Sequence, residues 1–281
     1  MGDCQIPVNP DVGGIGVRLS IYITSLLVVI VPRADIERYQ FSKLRARLEQ
    51  AAGLNGTALL ITTVIQSNLG QLDAYHAIVA LHLLVLLGVG TISFDLDRHR
   101  KARFLIYCVT MLVLLGIFTA WWLYVWITIP SFGVANFASG NPMCNHTVKL
   151  VVLFANVRLT APWLRWMFVA NGVVSAIGLI VLAGMTLGVI RGDHQDSKVH
   201  ELPPRPNHDP FSILRYLYDL REARPMLDIS RAFFTIYGIV MLELIVARND
   251  IARGENVWSF GQVLAMLVTL SGIKEVVEFF L

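Results

Sequence analysis

Residues 104–129 have the sequence FLIYCVTMLVLLGIFTAWWLYVWITI, in which no Asp, Glu, Lys, Arg or His occurs. At 1.5 Å per residue this stretch forms a helix of roughly 39 Å, enough to cross a bilayer. The basic run Arg98-His99-Arg100-Lys101-Ala102-Arg103 precedes it, and Trp121, Trp122, Tyr124 and Trp126 lie towards its other end. Basic residues stay in the cytoplasm, and tryptophan favours a membrane–water interface. We therefore predict a span that starts inside and ends outside.

The composition of the whole chain is that of a membrane protein. Its 281 residues are 55% hydrophobic and 15% charged, with a mean hydropathy of +0.61. These values are too apolar for a soluble domain of this size, and the apolar residues come in long blocks. The net charge of +3 gives no reason to expect a nucleic-acid partner. The expected surroundings are a lipid bilayer, in either the plasma membrane or an endomembrane.

The apolar blocks predict an all-α polytopic fold with seven transmembrane helices. Most of the 23 Lys and Arg residues fall in segments assigned to the inside, and all six tryptophans fall at the outer interface. This distribution places the N-terminus outside and the C-terminus in the cytoplasm. The predicted spans are residues 13–32, 52–70, 75–94, 104–129, 163–190, 232–247 and 258–273.

Three segments between the spans have predictions of their own. The basic segment 33–48 has apolar residues at approximately helical spacing and is predicted to lie on the inner leaflet. Residues 191–231 are predicted to form a cytoplasmic loop, with an amphipathic helix over 211–224 that stops at Pro225. The outer loop contains a segment, 148–159, for which the pattern leaves a short strand and a surface helix equally open.

Three stretches of the chain resemble a known group of proteins. They are NPDVGGIGVR at residues 9–18, YHAI at residues 75–78 and WSFGQVLA at residues 258–265. Together they resemble a group of fungal multi-span membrane proteins, and they fall on the first, third and last predicted spans. The resemblance implies a fungal source and a seven-helix layout. It brings no activity and no catalytic residues.

Two features of the outer segments predict covalent modification. Cys4 and Cys144 both lie outside in the predicted topology, and an oxidising compartment allows them to form a disulfide. Two free thiols remain the alternative. The run Asn145-His146-Thr147 is a glycosylation sequon, so Asn145 is a candidate for a glycan on the lumenal side, which would make this a glycoprotein.

Polar residues inside the predicted spans give the candidate ligand site. Glu243 is the only carboxylate well inside a span, and a charge there costs a few kcal/mol unless it has a partner. Other polar residues share its outer half of the membrane. We expect one polar pocket open to the outside, lined by His82, Asn171, Glu243, Gln262, Arg18 and Asn68. The alternative is a set of separate hydrogen bonds between helices.

The polar residues and the loops together favour a receptor-like or sensor protein. It would bind a small ligand on the outer side and signal through residues 191–231 to a cytoplasmic protein. The inner halves of the spans are almost entirely apolar, which disfavours a solvated path across the monomer. A transporter or channel subunit is the second hypothesis, and an intramembrane hydrolase is the third.

The sequence predicts neither catalytic residues, nor a metal site, nor a cofactor. His76 and His82 are six residues apart and face different sides of a straight helix. Asp73 and His76 share a helix face, but one such pair is not a metal site. The cluster Gly13-Gly14-Ile15-Gly16 is predicted to be a flexible or closely packed helix entry, not a phosphate loop.

Overall fold

The computed structural model describes residues 4–30, 39–88, 101–133, 142–196, 224–252, 254–255 and 257–280. The described part is mostly helical, with two short strands. The long helices are α1 (Ile15–Ile30), α2 (Tyr39–Asn68), α3 (Ala74–Leu86), α4 (Lys101–Thr128), α5 (Pro162–Asp196), α6 (Arg224–Arg248) and α7 (Phe260–Phe280). A helical turn, Pro10–Gly13, precedes α1, and a 3₁₀ turn, Pro142–His146, follows α4. The strands β1 (Lys149–Val152) and β2 (Ala155–Arg158) form an antiparallel hairpin.

Five of the described helical segments are long and apolar enough to cross a membrane. They are Pro10–Ile30, Cys108–Thr128, Pro162–Leu187, Ile229–Arg248 and Phe260–Phe279. These segments correspond to the first, fourth, fifth, sixth and seventh predicted spans. Their length and composition indicate a membrane-embedded helical protein.

The second and third predicted spans have different boundaries in the structure. The basic inner-leaflet segment and the second span are not separate, because α2 runs without a break through 30 residues. The third span was expected to reach residue 94, but α3 ends at Leu86 after 13 residues, about 20 Å of helix. A turn follows in which Gly88 has a φ of 70°, a left-handed conformation that ends helices and suits glycine. Residues 89–94 lie outside the described part.

The loop predicted over residues 191–231 has to be shortened at both ends. Helix α5 continues to Asp196, and α6 already begins at Arg224. Pro225, which was predicted to stop the helix over 211–224, is the second residue of α6. Proline is favoured in the first turn of a helix because the N–H it lacks has no helical partner there. The amphipathic helix predicted over 211–224 lies outside the described residues except for Arg224.

Successive helices run in alternate directions. In the pair α4 and α5, the Trp122 indole donates to the Phe168 carbonyl at 2.9 Å, and Arg165 donates to the Ile127 carbonyl at 2.7 Å. Helices α1 and α7 run in parallel, because Gly16 bonds to Gln262 and Ser20 bonds to Thr269. The helix ends that lie near the β-hairpin form one end of the bundle, which we call the hairpin end. We call the other end the distal end.

Helix α3 is the centre of the bundle. Every residue from Ala74 to Leu81 is buried, and α3 packs against α1, α2, α4 and α6. A helix that is apolar on all sides is covered either by other helices or by lipid, and here other helices cover it. Its first turn is capped by Asp73, whose side chain accepts a hydrogen bond from the His76 backbone N–H. The centre of the fold thus carries an acid and a histidine at the hairpin end.

The hairpin settles the alternative left open for residues 148–159 in favour of strands. It is fastened to the end of α6, where the Asn249 side chain donates to the Lys149 carbonyl and accepts from the Lys149 N–H, both at 2.8 Å. Arg248 donates to the Phe154 carbonyl at 2.9 Å. The tip residues Leu153 and Phe154 have φ values of 47° and 68°, as a tight two-residue turn requires.

Candidate functional site

Arg18, Tyr22 and Glu243 form a polar cluster between α1 and α6. The Arg18 guanidinium pairs with the Glu243 carboxylate and also donates to the Gly13 carbonyl at 2.9 Å. The Tyr22 hydroxyl donates to the same carboxylate at 2.6 Å. The Arg18 side chain is 6% exposed and that of Glu243 is 47% exposed, so the cation is the enclosed partner. Two residues of the predicted pocket therefore bind each other.

Gln262 of the predicted pocket is a packing residue between α1 and α7. Its side-chain oxygen accepts from the Gly16 N–H at 2.9 Å, and its amide donates to the Val257 carbonyl at 2.9 Å. The side chain is fully buried. Such an arrangement needs glycine on α1, because a Cβ at Gly16 would lie 2.8 Å from the Gln262 Cβ and 2.9 Å from the Trp258 ring. The glycine cluster was predicted to be either a flexible or a closely packed helix entry, and in the structure it is closely packed.

We expect Gly16→Ala to destabilise the protein by about 1–3 kcal/mol, because the added methyl overpacks the contact with α7. Gly116→Ala in α4 is the matched control, since a Cβ there meets nothing within 4 Å. The control should leave stability unchanged or raise it by up to about 1 kcal/mol, the helix preference of alanine over glycine. Unfolding of both purified variants by titration with denaturing detergent measures the difference. Equal effects would show that the α1–α7 contact tolerates a methyl group.

Asp73, His76 and Glu255 form a second, fully enclosed polar cluster at the hairpin end. His76 Nδ1 lies 2.5 Å from Asp73 Oδ2, and Nε2 lies 2.9 Å from Glu255 Oε1. The three side chains are 2%, 0% and 9% exposed in chain order. A histidine whose two ring nitrogens both face carboxylate oxygens satisfies both when it is an imidazolium. In the part of the chain that is described, no His, Cys, Asp and Glu cluster has metal-site geometry.

Glu255 is the residue of this cluster that sequence reasoning missed. The pair Asp73 and His76 is visible as an i, i+3 spacing, but Glu255 is 179 residues away from His76, in the connection between α6 and α7. Its second oxygen accepts from the Asn9 N–H at 3.0 Å, and the Asn9 side chain donates to Gln66 at 2.9 Å. The cluster therefore joins the N-terminal segment to α2, α3 and the α6–α7 connection.

The N-terminal segment has two further attachments at the hairpin end. Cys4 and Cys144 form a disulfide in the structure, with their Cα atoms 5.2 Å apart. Ile6 forms a parallel bridge with Ile251: its N–H donates to the Asp250 carbonyl at 3.1 Å, and its carbonyl accepts from the Ala252 N–H at 2.9 Å. The N-terminal segment is thus bonded both to the chain before α5, at Cys144, and to the chain after α6, at Ile251.

Asn145 is enclosed and therefore poorly placed to carry the predicted glycan. Its side chain is fully buried, and its Nδ2 donates to the carbonyls of Ile129 at 3.1 Å and Phe132 at 3.0 Å. A glycan is attached through this same nitrogen. These carbonyls belong to the turns that follow the end of α4 at Thr128. The folded protein thus uses Asn145 to hold these turns.

The two remaining asparagines of the predicted pocket lie at the surface. Asn68 is exposed at the end of α2, and Asn171 is exposed on α5, where its side chain accepts from Ser175 at 3.5 Å. Among the described residues, neither asparagine bonds to any of the other four. The six predicted residues therefore do not line one cavity, and the pairing alternative describes Arg18, Glu243 and Gln262 best.

A large cavity lies between the helices on the distal side. Its volume is about 940 Å³, and it is partly open to the outside of the protein. Small-molecule sites usually measure about 300–1,000 Å³ and are mostly apolar. Helices α1 to α6 all contribute to its largely apolar lining. The lining includes Gly53 from α2, His82 from α3, Trp126 from α4, Phe168 from α5, and Arg231 and Gly238 from α6.

Towards the hairpin end the cavity lining includes a pair of stacked aromatic rings. The rings of Trp126 and Phe168 are 4.1 Å apart and nearly parallel. At the distal end the lining includes Glu49, which pairs with Arg45, and Arg231. His82 is the one residue of the predicted site that lines this space.

Comparison with known protein families, with curated proteins and with solved structures finds no match. The geometry of the chain itself offers two features. At the hairpin end there are polar clusters whose groups bond to each other within each cluster, and at the distal side there is an apolar cavity.

Proposed function

We propose that the chain is a seven-helix membrane protein with receptor-like function, and that its ligand binds in the cavity that helices α1 to α6 line together. The five candidate spans and the alternating helix directions support seven crossings. Helix α2 is long enough to be a sixth, at roughly 45 Å for its 30 residues. Helix α3 is short but central, and the chain after Gly88 would complete its crossing. Most of the basic residues within the described ranges lie at the distal end, so that end would face the cytoplasm.

The cavity is the observation that carries the ligand-binding proposal. Arg18, Glu243 and Gln262 were expected to bind a ligand, but each already has a partner within the protein. An added ligand would have to break those bonds, whereas the cavity can accept an apolar molecule without breaking any. Burial of apolar surface contributes about 25 cal/mol per Å², so a mostly apolar lining favours an apolar ligand. The ligand would enter from the bilayer or from the distal side.

Helix α6 is the element through which binding would be signalled. Ser230 and Arg231 line the cavity close to the start of α6 and follow the undescribed residues 197–223. Gly238 packs against Leu86 of α3, which permits close approach of the two helices beside the cavity. A ligand that preferred one spacing of α3 and α6 would shift the population towards that spacing. A cytoplasmic protein at the 191–231 region would sense the change.

A transporter is the second candidate, and one observation favours it. A cavity that reaches one end of the bundle and is closed towards the other resembles one state of an alternating-access transporter. The charge pair Arg18–Glu243 would then belong to the closed side. An intramembrane hydrolase has less support, because the Ser25 hydroxyl at the cavity donates to the Leu86 carbonyl at 3.1 Å and not to a histidine.

Filling the cavity tests the proposal. We expect Gly53→Phe to lower the affinity for apolar ligands at least tenfold, because Gly53 lines the cavity and faces open space that a phenyl ring would occupy. Gly178→Phe on α5 is the matched control: a Cβ there also meets nothing within 4 Å, but Gly178 does not line the cavity. Binding of a radiolabelled sterol and a long-chain alcohol to purified protein is the measurement.

Two results would contradict the receptor proposal. Equal binding by both phenylalanine variants and the unmodified protein would mean that the cavity is not the ligand site. Uptake of solute into proteoliposomes, lost in Glu243→Gln, would support the transporter. Because both phenylalanines enter open space, neither variant should fail to fold.

A further inference from the structure

His82 offers an unused hydrogen-bond acceptor at the cavity. Its Nδ1 lies 2.8 Å from the Ile78 carbonyl, so this nitrogen carries a proton and donates. An unpaired cation in an apolar lining has a large desolvation cost, which favours the neutral ring. In a neutral ring the other nitrogen, Nε2, is an acceptor, and it lies on the side of the ring away from Ile78. Within the described residues, Nε2 has no hydrogen-bond partner.

We propose that the cavity binds an apolar molecule with one hydroxyl group, which donates to His82 Nε2. A hydroxyl is a small uncharged group that can donate such a bond. Sterols and long-chain alcohols share this chemistry. An ionised carboxylate accepts only and an ammonium donates only, and each would bring an uncompensated charge into the apolar lining. This inference rests on the proposed function, because it names the ligand class of the same cavity.

Matched ligands test the inference on the purified full-length chain. A sterol is compared with its methyl ether, and a long-chain alcohol with its methyl ether, because an ether oxygen accepts but cannot donate. We expect each alcohol to bind about five- to tenfold more tightly than its ether, the range of one neutral hydrogen bond. In His82→Leu the alcohol should fall to the affinity of the ether.

Each outcome separates the ligand class from the function itself. Equal affinities of alcohol and ether in the unmodified chain, with both lost in Gly53→Phe, would overturn the hydroxyl inference and leave the cavity as a ligand site. No binding of any of the four probes would overturn the inference and the proposed function together. A preference shown by the sterol pair alone, or by the alcohol pair alone, would support the inference and identify which of the two lipid classes is the ligand. Because the selectivity is measured first in the unmodified chain, it does not depend on the folding of a variant.

Discussion

His76→Phe is expected to destabilise the protein by about 3–5 kcal/mol, the usual cost of removing one partner from a buried charge cluster. The substitution keeps a ring of similar size but removes both N–H groups, so that the buried carboxylates of Asp73 and Glu255 face an apolar surface. Two carboxylates enclosed without a cation also repel each other. The midpoint of detergent-induced unfolding and the yield of monodisperse protein measure the effect.

His146→Phe is the control for this experiment. His146 is exposed and bonds only to Thr160 among the described residues, so the same substitution should cost at most about 1 kcal/mol. Similar losses in both variants would mean that the buried cluster contributes no more than a surface hydrogen bond. If His76→Phe proves too unstable to purify, Glu255→Gln keeps the shape of the cluster and should give a smaller loss in the same direction.

Removing one member of the Arg18–Glu243 pair should cost far more than removing both. We expect Arg18→Met and Glu243→Met each to destabilise the protein by about 2–4 kcal/mol, because each leaves a charge in a membrane span without its partner. This range lies below that for a fully buried pair, because the Glu243 side chain is 47% exposed. In the double variant no charge remains, and methionine fills a similar volume.

The double variant should therefore recover most of the loss. A coupling energy of about 2 kcal/mol or more between the two positions would establish the pair as the cause. The same detergent titration gives all four stabilities of the cycle. Additive losses in the double variant would show that Arg18 and Glu243 act independently, and that the contact between α1 and α6 depends on other residues such as Tyr22.

The helices were predictable from sequence because hydropathy is a local property. Five predicted spans have counterparts among the candidate spans, and residues 104–129 differ little from Cys108–Thr128. The boundaries were less predictable where two signals overlap. In α2, basic and apolar segments that look like separate elements form one helix, since helix formation itself does not depend on the boundary between water and lipid.

The candidate site was harder to predict, because depth along a helix does not specify the direction of a side chain. Arg18 and Glu243 share a depth and do meet, whereas Asn171 shares it and is exposed on α5. Glu255 gave no local signal at all, since its partner His76 is 179 residues away. The cavity is likewise a property of how six helices pack and has no motif in any of them. The packing of the helices determines which way each side chain points, and therefore which polar groups meet and where the cavity lies.

The attachments of the N-terminal segment have a consequence for biosynthesis. Asn9 bonds to Glu255 and Gly16 bonds to Gln262, each across 246 residues of chain. The ribosome makes these partners 246 residues later, so the first helix inserts long before these neighbours exist. The packing of α1 is therefore completed only after α7 has been synthesised. A chain truncated before residue 255 should remain open to quality-control proteolysis.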